Sequence, residues 1–423
     1  MFKIFQPPLK LRADPSRVVV RPYHLPRADV TDRTLRIIDE VRAMDMRTAR
    51  GELGLVFRDF AERHWQTQKV FMRRFEEVSA ELSLDLSSVR EEKKALIGAY
   101  LCHEYSYAAA ALMNPSVTRH PDQSGLADGS QRFIMSLRAV GEGHISTISF
   151  REGIVSGREI QLIPQPPFAT AANSAPPPVQ RQHGAVTVHR SPDTSLSGTV
   201  LFPMTLAQRN GLEDLRITRF THDDGAVEWI GTYTAYSGRE IQSEMLRTRD
   251  FESFDLIPIQ GPAARNKGMA SFPHQIDGRY MMIGRQDGES LFLLQSDDIG
   301  HWDDNGVKLM EPRFPWELVQ IGNCGAPIEL DEGWLVLTHG VGAMRKYSIG
   351  AALLDKKDPS KVIGRTSQPI LSAADEDREG YVPNVVYTCG AIRVGDDLFM
   401  PYGVADSSVA FAFVPIKGLL ASM

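Results

Sequence analysis

Cysteine is scarce in this 423-residue chain: Cys102, Cys324 and Cys389 are its three, far apart and none in a CxxC pair. An odd, dispersed set excludes a disulfide framework and argues against a zinc site. Cys324 and Cys389 read as small core residues. Long apolar runs are missing too; none approaches the ~20 residues that cross a bilayer, so no membrane partner is expected. Positive charge is not in excess, because 47 Lys and Arg stand against 53 Asp and Glu. A nucleic-acid-binding surface is therefore not indicated. The first dozen residues hold Lys3, Lys10 and Arg12 but neither an apolar core nor a small-residue cleavage site. They do not read as a secretory leader, and a cytoplasmic location is expected. His103 and Glu104 are not followed by the second histidine of an HExxH pattern, so no metal is expected.

What is present is the composition of a soluble globular protein, with length for two or three domains. Residues 1–110 form a first, helical region in which glycine and proline thin out. Leu53, Val56, Phe57, Phe60, Thr67, Phe71, Phe75, Val78 and Leu82 recur at helical spacing. Ser88 with Glu91 fits a capping box ahead of a helix through Leu96, Ile97, Tyr100 and Leu101. The aromatic stripe is expected to be core packing against the next domain. Any homo-oligomer is expected to form through this region.

From residue 111 to 423 the texture changes to short alternating runs and acidic-Gly turns, and a repeat emerges. Asp128-Gly129, Asp224-Gly225, Asp277-Gly278, Glu332-Gly333 and Asp396-Asp397 each precede a strand-like run, followed by a second run carrying small residues. One such hairpin unit cannot bury both sheet faces, but units stacked radially can. The expected fold is mainly β: a five-bladed β-propeller carrying an N-terminal helical region. A β-sandwich competes but does not explain the repeat. Between the first two units, at about 160–190, lies a proline-rich insertion with Pro164, Pro166, Pro167 and Pro176 to Pro178, expected to run over the surface or to contact a neighbour.

In a propeller, polar residues at equivalent points of several blades converge on the central channel. Arg138, Arg285 and His339 follow the first repeat strand of three units at similar offsets, and Asp406 follows that of the last. Such convergent charges mark a site. Between them lies Gly211-Leu212-Glu213-Asp214-Leu215-Arg216, two carboxylates and a guanidinium just before a strand. Strand alternation would put Arg216 on the face of Asp214, where it could hold the carboxylate.

The run GLEDLR resembles the G-x-E-D-P-R signature of glycoside hydrolase family 130, the β-mannoside phosphorylases and β-1,2-mannosidases. MNPS (113–116), SLRA (136–139), GTYTAYSG (231–238), NKGMASFP (266–273), GAPIELDEGWLVLTHGV (325–341), IGAALLD (349–355), GYVPNVVYTCG (380–390) and PYGVAD (401–406) agree with the family in order. The resemblance covers about residue 111 to the C-terminus. It implies a five-bladed propeller enzyme that cleaves β-mannosides with inversion. It implies Asp214 as general acid, its proton passing through a hydroxyl of the mannose. Asn114, Ser116, Arg138 and Asp406 would bind the sugar; Lys267, Arg285 and His339 would bind phosphate. Departures are Leu215 at the signature proline, Gln320 where a lysine is expected, and Lys267 where arginine is frequent.

Inverting cleavage needs an acid on the leaving oxygen and a nucleophile on the opposite sugar face. Water would need a carboxylate base, for which Glu329 and Glu379 are the candidates. Phosphate arrives charged and needs cations instead. With Lys267, Arg285 and His339 all present, the expected reaction is phosphorolysis of a β-mannoside or manno-oligosaccharide to mannose 1-phosphate, with phosphate as co-substrate and no cofactor. The alternatives are an inverting β-1,2-mannosidase and a non-catalytic glycan-binding propeller.

Overall fold

The computed structural model describes residues 2–23, 30–174, 184–303 and 306–423. After two short strands, Leu11–Arg12 and Val18–Pro22, come four helices: α1 (Val30–Ala43), α2 (Met46–Phe60), α3 (Thr67–Glu81) and α4 (Glu91–Tyr100). The apolar stripe faces inward as its spacing predicts, but its buried core is shared among the helices themselves rather than with the β region. Leu53, Phe75, Val78, Leu96 and Ile97 are buried with Ile38 and Val41 of α1. Val56 and Phe60 are only half-buried. The expected capping box does not form: Arg90 precedes α4 and no side chain caps it. The side-chain cap sits on α2, where Asp45 accepts from the Arg47 and Thr48 amides at 2.9 and 3.0 Å.

Helices α3 and α4 approach so closely that a Cβ at Gly98 would lie 1.9 Å from the carbonyl oxygen of Phe71. Gly98→Ala should therefore destabilise the protein by about 1–3 kcal/mol, the usual cost of overpacking. Alanine's helix propensity, worth about 1 kcal/mol, offsets only part of this. A thermal unfolding midpoint equal to that of the parent protein would show that the two helices part freely.

Val18–Pro22, which precedes the helices, pairs antiparallel with Cys102–Ser106, which follows them and leads into the β region. Tyr105 of this ribbon packs edge-on against Phe202 at 5.6 Å. Beyond it the chain is mainly β, in five antiparallel units. The first is β1 (Ala111–Arg119), β2 (Ser130–Val140), β3 (Ser146–Ser156) and β4 (Glu159–Leu162). The second is β5 (Gly211–Thr221), β6 (Val227–Tyr236), β7 (Ile241–Thr248) and β8 (Ser253–Pro258). The third is β9 (Ala270–Ser271), β10 (Tyr280–Gly284), β11 (Leu291–Ser296) and β12 (Val307–Met310). The fourth is β13 (Gln320–Asn323), β14 (Trp334–Val341), β15 (Tyr347–Leu354) and β16 (Val362–Arg365). The fifth holds β17 (Val386–Tyr387), β18 (Asp397–Val404) and β19 (Ser408–Pro415).

Each repeat turn expected from the sequence leads into the second strand of a unit. Gly129, Gly225 and Gly278 take φ of 76°, 82° and 74° there, a left-handed conformation that favours glycine. The N-terminal Leu11–Arg12 adds to the outer edge of β19, with Leu11 opposite Val409, so both ends of the chain build the last unit. That unit also meets the first, through Leu112 N–H to Ser407 O at 3.3 Å and Cys389 N–H to Pro115 O at 2.8 Å. Of the proline-rich stretch, Pro176 to Pro178 lie outside the described residues. Further along, Val186–His189 adds a strand beside β8.

Candidate active site

A cavity of about 220 Å³ gathers side chains from all five units. From the first come Asn114 and Arg138, from the second Asp214 and Arg216. The loop before β9 supplies Lys267, the residue after β10 Arg285, the fourth unit Asn323, His339, Arg345 and Tyr347, and the fifth Tyr387 and Asp406.

Two matching irregularities aim the key groups. Strand β1 shifts register between Met113 and Ser116, and β5 between Glu213 and Arg216. At each shift one residue turns left-handed, Asn114 at φ 48° and Asp214 at φ 58°. Asn and Asp tolerate that conformation better than other non-glycine residues. Bulges of this kind redirect a side chain out of the strand's alternation. The two redirected side chains meet, with Asn114 Nδ2 donating to Asp214 Oδ1 at 2.7 Å. Gly211 opens the signature run for a different reason: a Cβ there would stand 2.7 Å from Ser146 Cβ, where β5 touches β3.

Asp214 lies in a cage of cations. Arg138 Nη1 donates to its Oδ1 at 3.2 Å, while Nη2 donates to Glu213 at 2.7 Å and Nε to Ser146 Oγ at 2.9 Å. Lys267 Nζ donates to the other oxygen of Glu213 at 2.7 Å. The buried Glu213 thus ties Arg138 of the first unit to Lys267 of the loop before β9. Arg216 does not clasp the Asp214 carboxylate, as strand alternation would have it. The bulge turns it so that Nη1 donates to the Asp214 backbone carbonyl at 2.8 Å and Nη2 to the Tyr387 hydroxyl at 2.7 Å.

These neighbours separate the two carboxylates in acidity. Burial pushes Asp214 up, but Arg138, Arg216, Lys267 and the Asn114 hydrogen bond outweigh it and hold the group at about 2. Burial and the Asp214 charge push Asp406 up to about 6. The sequence alone presents His339 as a cation, and the fold corrects this. Burial first, then Arg285 and Arg216, depress its pKa well below the usual range and hold the ring neutral. Its ring fits because position 322 is glycine; a Cβ there would lie 2.2 Å from His339 Cε1.

Several buried polar atoms here have no hydrogen-bond partner among the described residues: Arg285 Nε, His339 Nδ1, Arg216 Nε, the Asn114 Oδ1 and both polar side-chain atoms of Asn323. Buried polar groups are normally satisfied, so such a cluster marks where a ligand belongs. Five cationic side chains (Arg138, Arg216, Lys267, Arg285, Arg345) face three carboxylates (Glu213, Asp214, Asp406), which leaves the cavity suited to an anion.

Of the residues singled out in the sequence, Asn114, Arg138, Asp214, Lys267, Arg285, His339 and Asp406 all line the cavity. Ser116 does not. It is buried behind the wall, where its hydroxyl accepts from the Ile217 amide at 3.1 Å. Glu329 and Glu379 do not line the cavity either. Glu379 is exposed, and Glu329 pairs with Lys356 at 2.7 Å and His274 at 3.0 Å. Sequence reasoning missed Asn323, Arg345, Tyr347 and Tyr387. Tyr387 lies inside a quoted segment, but Asn323 carries no signal beyond its place at the end of a strand in the fourth unit.

Comparison with known proteins bears on this site. A family model described as β-1,4-mannooligosaccharide phosphorylase matches residues 194–423. The chain is 34% identical over 228 residues to the β-1,2-mannobiose phosphorylase of Listeria innocua, covering 52% of this chain and 62% of that protein. It is 36% identical over 155 residues to the 1,2-β-oligomannan phosphorylase of a Thermoanaerobacter species, covering 36% and 52%. It is 33% identical over 218 residues to the β-1,4-mannooligosaccharide phosphorylase of Ruminococcus albus, covering 48% and 62%. The chain thus spans less than two thirds of the length of each of these three relatives. Among solved structures, the Listeria innocua β-1,2-mannobiose phosphorylase in complex with β-1,2-mannobiose superposes with a TM-score of 0.50 at 24% identity, over 74% of this chain and 92% of that one. A glycosyl hydrolase from Bacteroides ovatus superposes at 0.52 with 19% identity, over 74% and 87%. These two likenesses concern the fold.

Proposed function

Because the chain belongs to the β-1,4-mannooligosaccharide phosphorylase family, glycoside hydrolase family 130, we propose that it cleaves β-mannosides by inverting phosphorolysis, releasing mannose 1-phosphate. The observation that carries this reading is the cluster of unpartnered buried donors at Arg285, His339 and Asn323 beside Lys267, all facing Asp214 across one cavity. Phosphate brings acceptor oxygens and negative charge to such a cluster, and arginine is the natural fork for it. Lys267 and Arg285 supply charge, and neutral His339 supplies hydrogen bonding.

The mannosyl ring would lie against Asn114, Arg138 and Asp406, with its leaving oxygen toward Asp214. In the ligand-free pocket Asp214 is ionised at neutral pH, so it must gain a proton before it can give one. Two events favour that. A bound phosphate neutralises the cations that hold the group acidic, and a sugar hydroxyl seated between Arg138 and Asp214 weakens their contact. Burial then dominates and raises the carboxyl's pKa. The proton passes through the sugar hydroxyl to the leaving oxygen while phosphate attacks the opposite face.

We place this site in a five-bladed β-propeller of residues 111–423, joined to a helical region within 1–110. Five antiparallel units, with the last touching the first, support that arrangement. Against hydrolysis stands the state of the carboxylates: Glu379 does not line the cavity, Glu329 is paired with Lys356 and His274, and Glu213 is bound at both oxygens. Product analysis of a β-mannoside panel, with and without phosphate, tests the reading. Mannose 1-phosphate formed only with phosphate is expected; free mannose in phosphate-free buffer at a comparable rate would overturn it.

A further inference from the structure

Two exposed rings, Tyr381 and His144, sit on segments that adjoin cavity-lining residues and have no part in the proposed chemistry. Tyr381 is 51% exposed, and its hydroxyl lies 3.2 Å from His144 Nδ1. The rings stand 5.9 Å apart at 40°. The chain leaves each in a constrained place. His144, with φ 59°, sits in the turn between β2 and β3, directly before Ile145 and Ser146, the latter being the residue whose hydroxyl holds Arg138. Tyr381 rides over the turn that carries Asp406: the Val382 amide donates to Ala405 O at 3.0 Å, and a Cβ on Gly380 would lie 2.5 Å from that same oxygen. The pair therefore bridges the turn before Ser146, which holds Arg138, and the turn that carries Asp406. Beyond it, the turn between β14 and β15 presents Met344, 92% exposed, and the cavity-lining Arg345, both left-handed. That turn is tied to the Tyr381 segment by the Tyr347 amide donating to Asn384 O at 3.0 Å.

We infer that Tyr381 and His144 form the platform for the leaving-group sugar, so that this pair, with Met344 on the adjoining turn, sets which acceptor the protein uses. The inference rests on the phosphorolytic reading of the cavity. A large exposed aromatic residue on a segment adjoining a polar pocket is poorly placed for folding but well placed for a hexose. One face of a pyranose ring presents C–H groups that pack on an aromatic face, and its rim presents hydroxyls. An aromatic body with a polar tip meets both demands, and Tyr381 with His144 offers two such rings and two hydrogen-bonding tips. The sugar bonded to the mannosyl residue must emerge past Asp214, because Asp214 serves the oxygen that joins them. The platform stands between the two turns flanking that exit. Its test is a shift in acceptor use, since neither ring touches phosphate or the acid.

The experiment runs the reaction in the synthetic direction, with mannose 1-phosphate and a panel of mannose, glucose and β-mannobiose as acceptors. In Tyr381→Ala the KM for acceptor should rise about tenfold, the factor that 1.4 kcal/mol of lost contact gives. The KM for mannose 1-phosphate should stay within about twofold, since that ligand fills the inner cavity. Tyr381→Phe keeps the ring and should retain most of the acceptor affinity, whereas His144→Ala should change the ranking of acceptors. An unchanged acceptor KM in Tyr381→Ala, in a protein that unfolds at the parental temperature, would overturn the platform. If the parent protein makes no product from mannose 1-phosphate with any acceptor, the phosphorylase reading falls instead. Calorimetric binding of β-mannobiose to Asp214→Asn with and without Tyr381→Ala then judges the platform by itself: equal affinities refute it, and a loss of about tenfold upholds it.

Discussion

Asp214→Asn should lower turnover of β-mannosides by about 10²–10⁴-fold, the usual contribution of a positioned proton donor. An amide cannot surrender the proton that the leaving oxygen needs. The substitution is mild in every other respect. Asparagine is among the few residues that accept the left-handed backbone of this position, at φ 58°. Its side-chain oxygen can still accept from Asn114 and Arg138, which now bond the carboxylate at 2.7 and 3.2 Å. The thermal transition should therefore stay close to that of the parent. Phosphate affinity should hold or improve, because a negative charge has been removed beside an anion site. Parental turnover in this variant would refute the acid assignment. Lost turnover together with lost phosphate binding would point to a collapsed cavity instead.

Arg285→Ala should raise the KM for phosphate by about 10–100-fold, the factor expected when a hydrogen bond to a charged group worth about 1.5–3 kcal/mol is deleted. The KM for the mannoside should move much less. Arg285 reaches the cavity from the third unit, away from Asn114 and Asp406, and burial lowers its pKa without any ion pair among the described residues. It contributes an unused donor, and an arriving phosphate is the group that would use it. His339→Glu should weaken phosphate use further, because it replaces a neutral ring beside Arg285 with a carboxylate that repels the nucleophile. The same carboxylate would stand where it could deprotonate water, so slow hydrolysis in phosphate-free buffer is the accompanying expectation. Kinetics at varied phosphate and fixed mannoside decide both points. A parental rate independent of phosphate would replace the phosphorylase reading with an inverting mannosidase.

Much of the site was legible before any fold was available, and the reason is the repeat. Strands that recur after an acidic-Gly turn put Arg138 and His339 at comparable points of successive units, so periodicity alone implied their convergence. The chemistry of Asp214, Lys267 and Arg285 came from the ordered segments of a family. Ser116 shows the limit of that transfer. It sits two residues beyond Asn114, and strand alternation would keep both on one face. The bulge between Met113 and Ser116 instead turns Asn114 into the cavity and leaves the serine hydroxyl on a backbone amide. Arg216 departs from alternation for the same reason, because the matching bulge in β5 carries it from the carboxylate to the carbonyl. The helical region shows the complementary case. The inward face of its apolar stripe was readable from period alone, whereas the cap at Asp45 and the contact at Gly98 depend on neighbours that local sequence does not name.

By itself, then, the amino-acid sequence determined the mainly β texture, the five turn-and-strand units, the apolar stripe of the helices and the charged side chains available to the cavity. These depend on periodicity and side-chain chemistry, which are local. Only the tertiary structure decided the charge states and the free hydrogen-bonding groups. Asp214 is ionised because Arg138, Arg216 and Lys267 reach it from three different strands or loops. His339 is neutral because burial and two arginines surround it. Asn323 belongs to the site because β13 happens to end at the cavity. Coulomb energy and desolvation depend on distance and burial, and residues far apart along the chain acquire both only when it folds.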